Sequence, residues 1–174
     1  MKKLLMFSLF ATSLFTSTQS MAQGADKSKR PSPPATVTAA TSNSNTITIN
    51  YSQPSVKGRT IGKDIAPYDK VWRAGANEAT TFEITKDAKI DKKSSLPAGK
   101  YSLYAIPGEK TWTIIFNKKW EQWGTVYNEG EDALRVTTTP KKAAGFTEQL
   151  TYTIDKKGQV TLTWGDTSAG FTVN

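Results

Sequence analysis

Apolar and polar residues alternate with period two along most of this chain, a pattern that suits strands and leaves little room for helices. Ile47, Ile49 and Tyr51 alternate with Thr46, Thr48 and Asn50, and a Ser42-Asn43-Ser44-Asn45 turn pairs this run with Thr36 to Ala40. Phe82 and Ile84 alternate with Thr81 and Glu83. Tyr101 to Ile106 and Trp112 to Asn117 flank Pro107-Gly108-Glu109-Lys110, a hairpin turn. The alternation continues through Leu134 and Val136, then Leu150, Tyr152 and Ile154, then Val160, Leu162 and Trp164, with Phe171 and Val173 as a final strand. About nine short strands with Gly, Pro and Asn punctuation predict an all-β fold, an antiparallel β-sandwich with a jelly-roll-like character. A helical turn is expected only over 118–124, where Trp120 and Trp123 would share a face.

The N-terminus reads differently. Lys2 and Lys3 precede an apolar run from Leu4 to Phe15, and Ser20-Met21-Ala22 sets small residues before Gln23. This is the layout of a signal peptide over residues 1–22, cleaved near Ala22-Gln23, and it predicts export to the periplasm or the exterior. The apolar run is too short to span a bilayer, and no other stretch qualifies. Residues 23–34, rich in Lys, Ser and Pro, are expected to form a flexible leader. Residues 35–174 then form a single β-sandwich domain, long enough for its own core.

The chain has neither Cys nor His. Disulfides, Cys-His and Ser-His-Asp nucleophiles and the usual zinc sites are therefore excluded. Catalysis would have to use Asp, Glu, Lys, Tyr or Ser, and a metal would have to be a hard, oxygen-ligated ion. The residues call for no cofactor and no metal. The net charge of +8 rests on lysines scattered at predicted turns. A nucleic-acid reader clusters arginine with aromatics instead, so no nucleic-acid partner is expected.

Two long connections carry the distinctive chemistry, and long loops on a sandwich are where function usually sits. The first holds Arg59, Asp64, Tyr68 and the block Trp72-Arg73-Ala74-Gly75-Ala76-Asn77-Glu78. Arg73 could clamp a carboxylate or sulfate, Asn77 and Glu78 could bind sugar hydroxyls, and Tyr68 or an indole could stack on a sugar face. Equally, Arg73 and Glu78 could pair with each other while Trp72 fills the core. The second connection holds Trp120, Trp123 and Tyr127, either an aromatic platform or a lid on the core. Its acidic stretch Asn128-Glu129-Gly130-Glu131-Asp132 lacks the spacing of an EF-hand and reads as a solvated turn. Lys57-Gly58-Arg59 is too short for a phosphate loop.

Several of these segments are similar to one known pattern. They include Ser52-Gln53-Pro54-Ser55-Val56-Lys57-Gly58-Arg59, Pro67-Tyr68-Asp69-Lys70-Val71-Trp72-Arg73-Ala74-Gly75-Ala76-Asn77-Glu78 and Leu96-Pro97-Ala98-Gly99-Lys100-Tyr101-Ser102-Leu103. Ile106-Pro107-Gly108, Trp112-Thr113-Ile114-Ile115-Phe116-Asn117, Gln122-Trp123-Gly124 and Leu134-Arg135-Val136 follow in order. Together they resemble Domain of Unknown Function 2911, an exported bacterial family. The resemblance implies one β-rich exported domain and supplies no catalytic residues.

The sequence reading therefore favours an exported binding module for a small polar, anionic or glycan ligand, using Arg59, Tyr68, Trp72, Arg73, Asn77, Glu78 and Trp123. The alternatives are a glycoside hydrolase or lyase with Glu78 as acid or base and Asp64 or Asp69 as its partner, and a structural envelope component that docks through its basic surface.

Overall fold

The computed structural model describes residues 26–174; the expected signal peptide and its cleavage point lie outside the described residues. Six strands form the larger sheet: β1 (Pro34–Ala40), β2 (Thr46–Ser52), β3 (Thr81–Ile84), β6 (Gly99–Ile106), β7 (Trp112–Asn117) and β8 (Asp132–Thr138). Their order, β1-β2-β3-β6-β7-β8, is a meander with every neighbour antiparallel. Between β3 and β6 the chain inserts a small hairpin, β4 (Ala88–Ile90) with β5 (Ser94–Leu96). A long antiparallel ribbon completes the fold, β9 (Lys141–Ile154) with β10 (Gln159–Thr172). The all-β antiparallel expectation holds, with ten strands among the described residues, and the sheet follows a meander in place of crossed jelly-roll connections.

The ribbon makes a second layer because β10 doubles back. Register shifts flank Gly165, whose φ of +56° is open to glycine at little cost. Val173 N then donates to Gly158 O (2.9 Å), so the end of β10 lies beside its own start. Beyond it, Ile90 bridges Val173, and Lys89 and Asn174 exchange backbone hydrogen bonds of 2.8 and 2.9 Å. The final strand expected at Phe171 and Val173 is thus mostly the returning half of β10.

The alternating residues meet between the layers. Ile49, Phe82, Leu103 and Phe116 face Leu150, Leu162, Trp164 and Phe171 in one core cluster. Phe82, Phe116 and Phe171 pack edge to face with centroids 5.1–5.6 Å apart. Each such ring contributes roughly 1.5–3 kcal/mol by leaving water. Trp72, a candidate ligand contact in the sequence, belongs here: its ring stacks on Trp164 at 5.4 Å and meets Trp112 at 6.3 Å. Its backbone bridges Ala105, which holds it inward.

The opposite face of the larger sheet is polar. Register places Thr36, Asn50, Thr81, Ser102 and Asn117 in one row across five strands. Thr36 Oγ1 donates to Asn50 Oδ1 (2.8 Å), and Asn50 Nδ2 donates to Thr81 Oγ1 (3.3 Å). The connection from β7 to β8 folds back over part of this face. Ser102 Oγ donates to Lys119 O (2.8 Å) and Tyr104 Oη donates to Val126 O (2.6 Å), so Tyr104 is buried outside the main core. Residues 118–124 follow these anchors as bends and a bridge, and the expected helical turn is absent. The nearest helical geometry is the 3-10 turn Glu129–Glu131.

Candidate functional site

A groove of about 350 Å³ runs over the polar face at the β1–β2–β3 end. Thr36, Asn50 and Thr81 line it, with Lys27, Glu78, Lys100, Trp120, Glu121 and Gln122 around them. The loop after β7 supplies Trp120, which keeps 37% of its surface exposed and carries the Lys100 ammonium 4.3 Å above its ring. That cation–π contact orients the indole and leaves an amphipathic ledge at the groove.

The segment 26–33, within the stretch expected as a flexible leader, lies against the groove. Asp26 caps a 3-10 turn, Lys27–Lys29, by accepting from Ser28 N. Arg30 Nη1 donates to both oxygens of Glu78 at 3.0 and 2.9 Å, and Lys27 Nζ is 3.0 Å from the same carboxylate. Asn77 adopts φ +59° and donates through Nδ2 to Ser32 O (3.0 Å) and Ser52 Oγ (3.3 Å). Gln53 N donates to Pro33 O (2.9 Å). Glu78 is therefore paired, with Arg30 and Lys27 in place of Arg73.

This pairing sets the chemistry of Glu78. Its own backbone N–H, the Lys27 ammonium and the Arg30 guanidinium hold the carboxyl down at about 2 from its usual 4.5. A general acid must keep a proton at working pH, which a glycosidase achieves by raising a carboxyl pKa. Glu78 does the opposite and serves as an acceptor of hydrogen bonds and cations. Asp64 caps its own turn by accepting from Thr60 N (2.8 Å), and Asp69 lies beside Gly108; neither lines the groove.

The other residues singled out in the sequence separate. Arg59 donates to Val56 O (3.0 Å) and Ser55 O (2.7 Å), which closes a turn. Tyr68 is part exposed and lies under Gly62, where a Cβ would come within 2.3 Å of the phenol ring. It lines a separate cleft with Ile61 and Trp112. Trp123 bridges Glu78 through the backbone and is 49% exposed, and at the next residue a Cβ on Gly124 would approach Arg73 Cδ to 2.5 Å. Of the seven residues, Glu78 alone lines the groove; Trp120, weighed in the sequence as part of an aromatic platform, lines it as well, while Lys100 and Asn50 were missed as site residues. The signal for Asn50 was its polarity on the outward face of a strand; Lys100 had none.

The acidic stretch of the second connection is also engaged. Asp132 accepts from Arg135 Nε, Tyr127 Oη and Asn117 Nδ2, each at 2.8 Å, and Glu129 pairs with Arg135 at 3.0 Å. Burial and the bond to Asp132 push the Tyr127 phenol up to about 12. Its ring packs on Tyr104 with centroids 5.0 Å apart, so Tyr127 is a strut of the lid.

Fold and groove together define a small all-β domain with a polar, aromatic-edged recess on one sheet face. The chain belongs to the DUF2911 family, described as proteins of unknown function, and the match covers residues 32–173. No curated protein and no solved structure matches the chain. Among the described residues no helix is long and apolar enough to cross a membrane.

Proposed function

We propose that this protein is an exported binding module that takes a small polar ligand, a glycan, in the groove beside Trp120. The carrying observation is the half-exposed indole set over a row of hydroxyl and amide groups. Sugars present both an apolar CH face, which stacks on an indole, and a rim of hydroxyls that need donors and acceptors. Thr36, Asn50 and Thr81 supply the second set, and the charged groups around them balance, Lys27 and Lys100 against Glu78 and Glu121. A larger cleft of about 670 Å³, near Thr137, Thr161 and Lys141, offers hydroxyls with no comparably exposed ring. Export rests on the signal-peptide layout of residues 1–22, and the absence of Cys and His fits a protein that binds.

Calorimetric titration of neutral and acidic envelope oligosaccharides into wild type and Trp120→Ala tests this reading. The expected outcome is at least one glycan whose Kd rises roughly tenfold or more in Trp120→Ala, a loss of about 1.4 kcal/mol. A panel in which the two proteins behave alike overturns it.

A further inference from the structure

We propose that Arg73 anchors a second binding site, outside the groove, for an oxyanion: a carboxylate, sulfate or phosphate group. Arginine offers five N–H donors in a planar fork, and the other arginines of this chain use theirs. Arg30 grips the Glu78 carboxylate, Arg135 grips Asp132, and Arg59 bonds two carbonyls. Arg73 makes a single hydrogen bond, from Nη1 to Asn77 O at 3.5 Å, which is long for an N–H···O contact. Among the described residues no carboxylate lies within ion-pairing distance of it.

The surroundings make that vacancy of partners costly. Arg73 is half-buried, its stem pressed on the backbone of Gly124, and desolvation lowers its pKa. The neighbouring phenol brings no negative charge, because Tyr104 Oη is spent on Val126 O and on Gln122 Nε2. The unused N–H groups still reach solvent, since Trp164 Nε1 is the sealed side-chain nitrogen without a partner among the described residues. A half-desolvated guanidinium with free, solvent-facing donors is suited to bidentate capture of an oxyanion. This site does not require the groove to be occupied.

Titration of sodium sulfate, sodium phosphate and sodium acetate at constant ionic strength, followed on the Arg73 Nε–H and Gly124 amide resonances, tests the proposal and separates the three chemistries. Wild type is expected to give saturable shifts with at least one anion. Arg73→Lys should weaken that binding roughly tenfold, because an ammonium cannot bind bidentately. Arg73→Gln should abolish the Gly124 shift, and Trp120→Ala should leave it unchanged. No saturable shift with any of the three anions in wild type overturns the proposal, and so does an undiminished Gly124 response in Arg73→Lys. These readouts stand whether or not Arg73→Gln folds and whether or not the groove binds a glycan.

Discussion

Gly170 and Gly145 lie in the same ribbon and carry opposite demands. A Cβ on Gly170 would sit 2.1 Å from the Val160 carbonyl oxygen, a backbone atom that also accepts from Gln159 Nε2. At Gly145 a Cβ meets nothing within 4 Å. Gly170→Ala should therefore cost about 1–3 kcal/mol or more through overpacking. Gly145→Ala should be neutral or gain up to about 1 kcal/mol, because it narrows the unfolded ensemble. Urea unfolding of both variants checks the doubled ribbon, which predicts a clear gap between them. At Glu78 the folded carboxyl sits below its usual 4.5, at about 2. The stability it adds is complete above pH 4.5 and is lost as pH falls from 4.5 toward 2. Glu78 and Lys27 are well exposed, so the effect on the whole domain stays under about 1 kcal/mol. It should appear locally, as amide shifts at Lys27 to Arg30 that titrate in that window while core resonances stay still.

The element that gains most from this pairing is the segment before β1. Its attachments are Arg30 and Lys27 to Glu78, Asn77 to Ser32 O and Gln53 to Pro33 O. Glu78→Gln removes the ionic part and keeps the backbone bonds. Trypsin should then cut after Lys27 and Lys29 several-fold faster, since local opening sets access. The melting temperature should move little. An unchanged cutting rate would mean that the backbone bonds alone hold the segment. Nothing local in residues 23–34 signals this docking: the partner of Arg30 lies 48 positions away, and only the finished sheet brings the two together. The strands were legible because a two-layer core demands alternation, as Ile47, Ile49 and Tyr51 show. β4 and β5 escaped because three residues each, Ala88–Ile90 and Ser94–Leu96, are too short for a period. Trp120 and Trp123 satisfy an i, i+3 spacing, yet the tertiary anchors at Lys119 O and Val126 O decide their conformation.

For the molecule as a whole, the central claim is that the polar sheet face is a receptor surface. The Arg73–Glu78 block looked like one site because its residues are adjacent in sequence. Folding splits it: Glu78 goes to the groove and Arg73 against Gly124, outside the groove lining, while Trp72 just before them goes to the core. A sequence cannot display that division, since it depends on which face each backbone bond selects. Resonance mapping during titration with a glycan from the calorimetric panel tests the claim most directly. The account predicts that the Trp120 indole N–H and the Asn50 side-chain amide shift together and saturate with one Kd, with Tyr68 and Phe146 unmoved. A saturable response centred on the cleft by Thr137 and Lys141, with Trp120 silent, would contradict it.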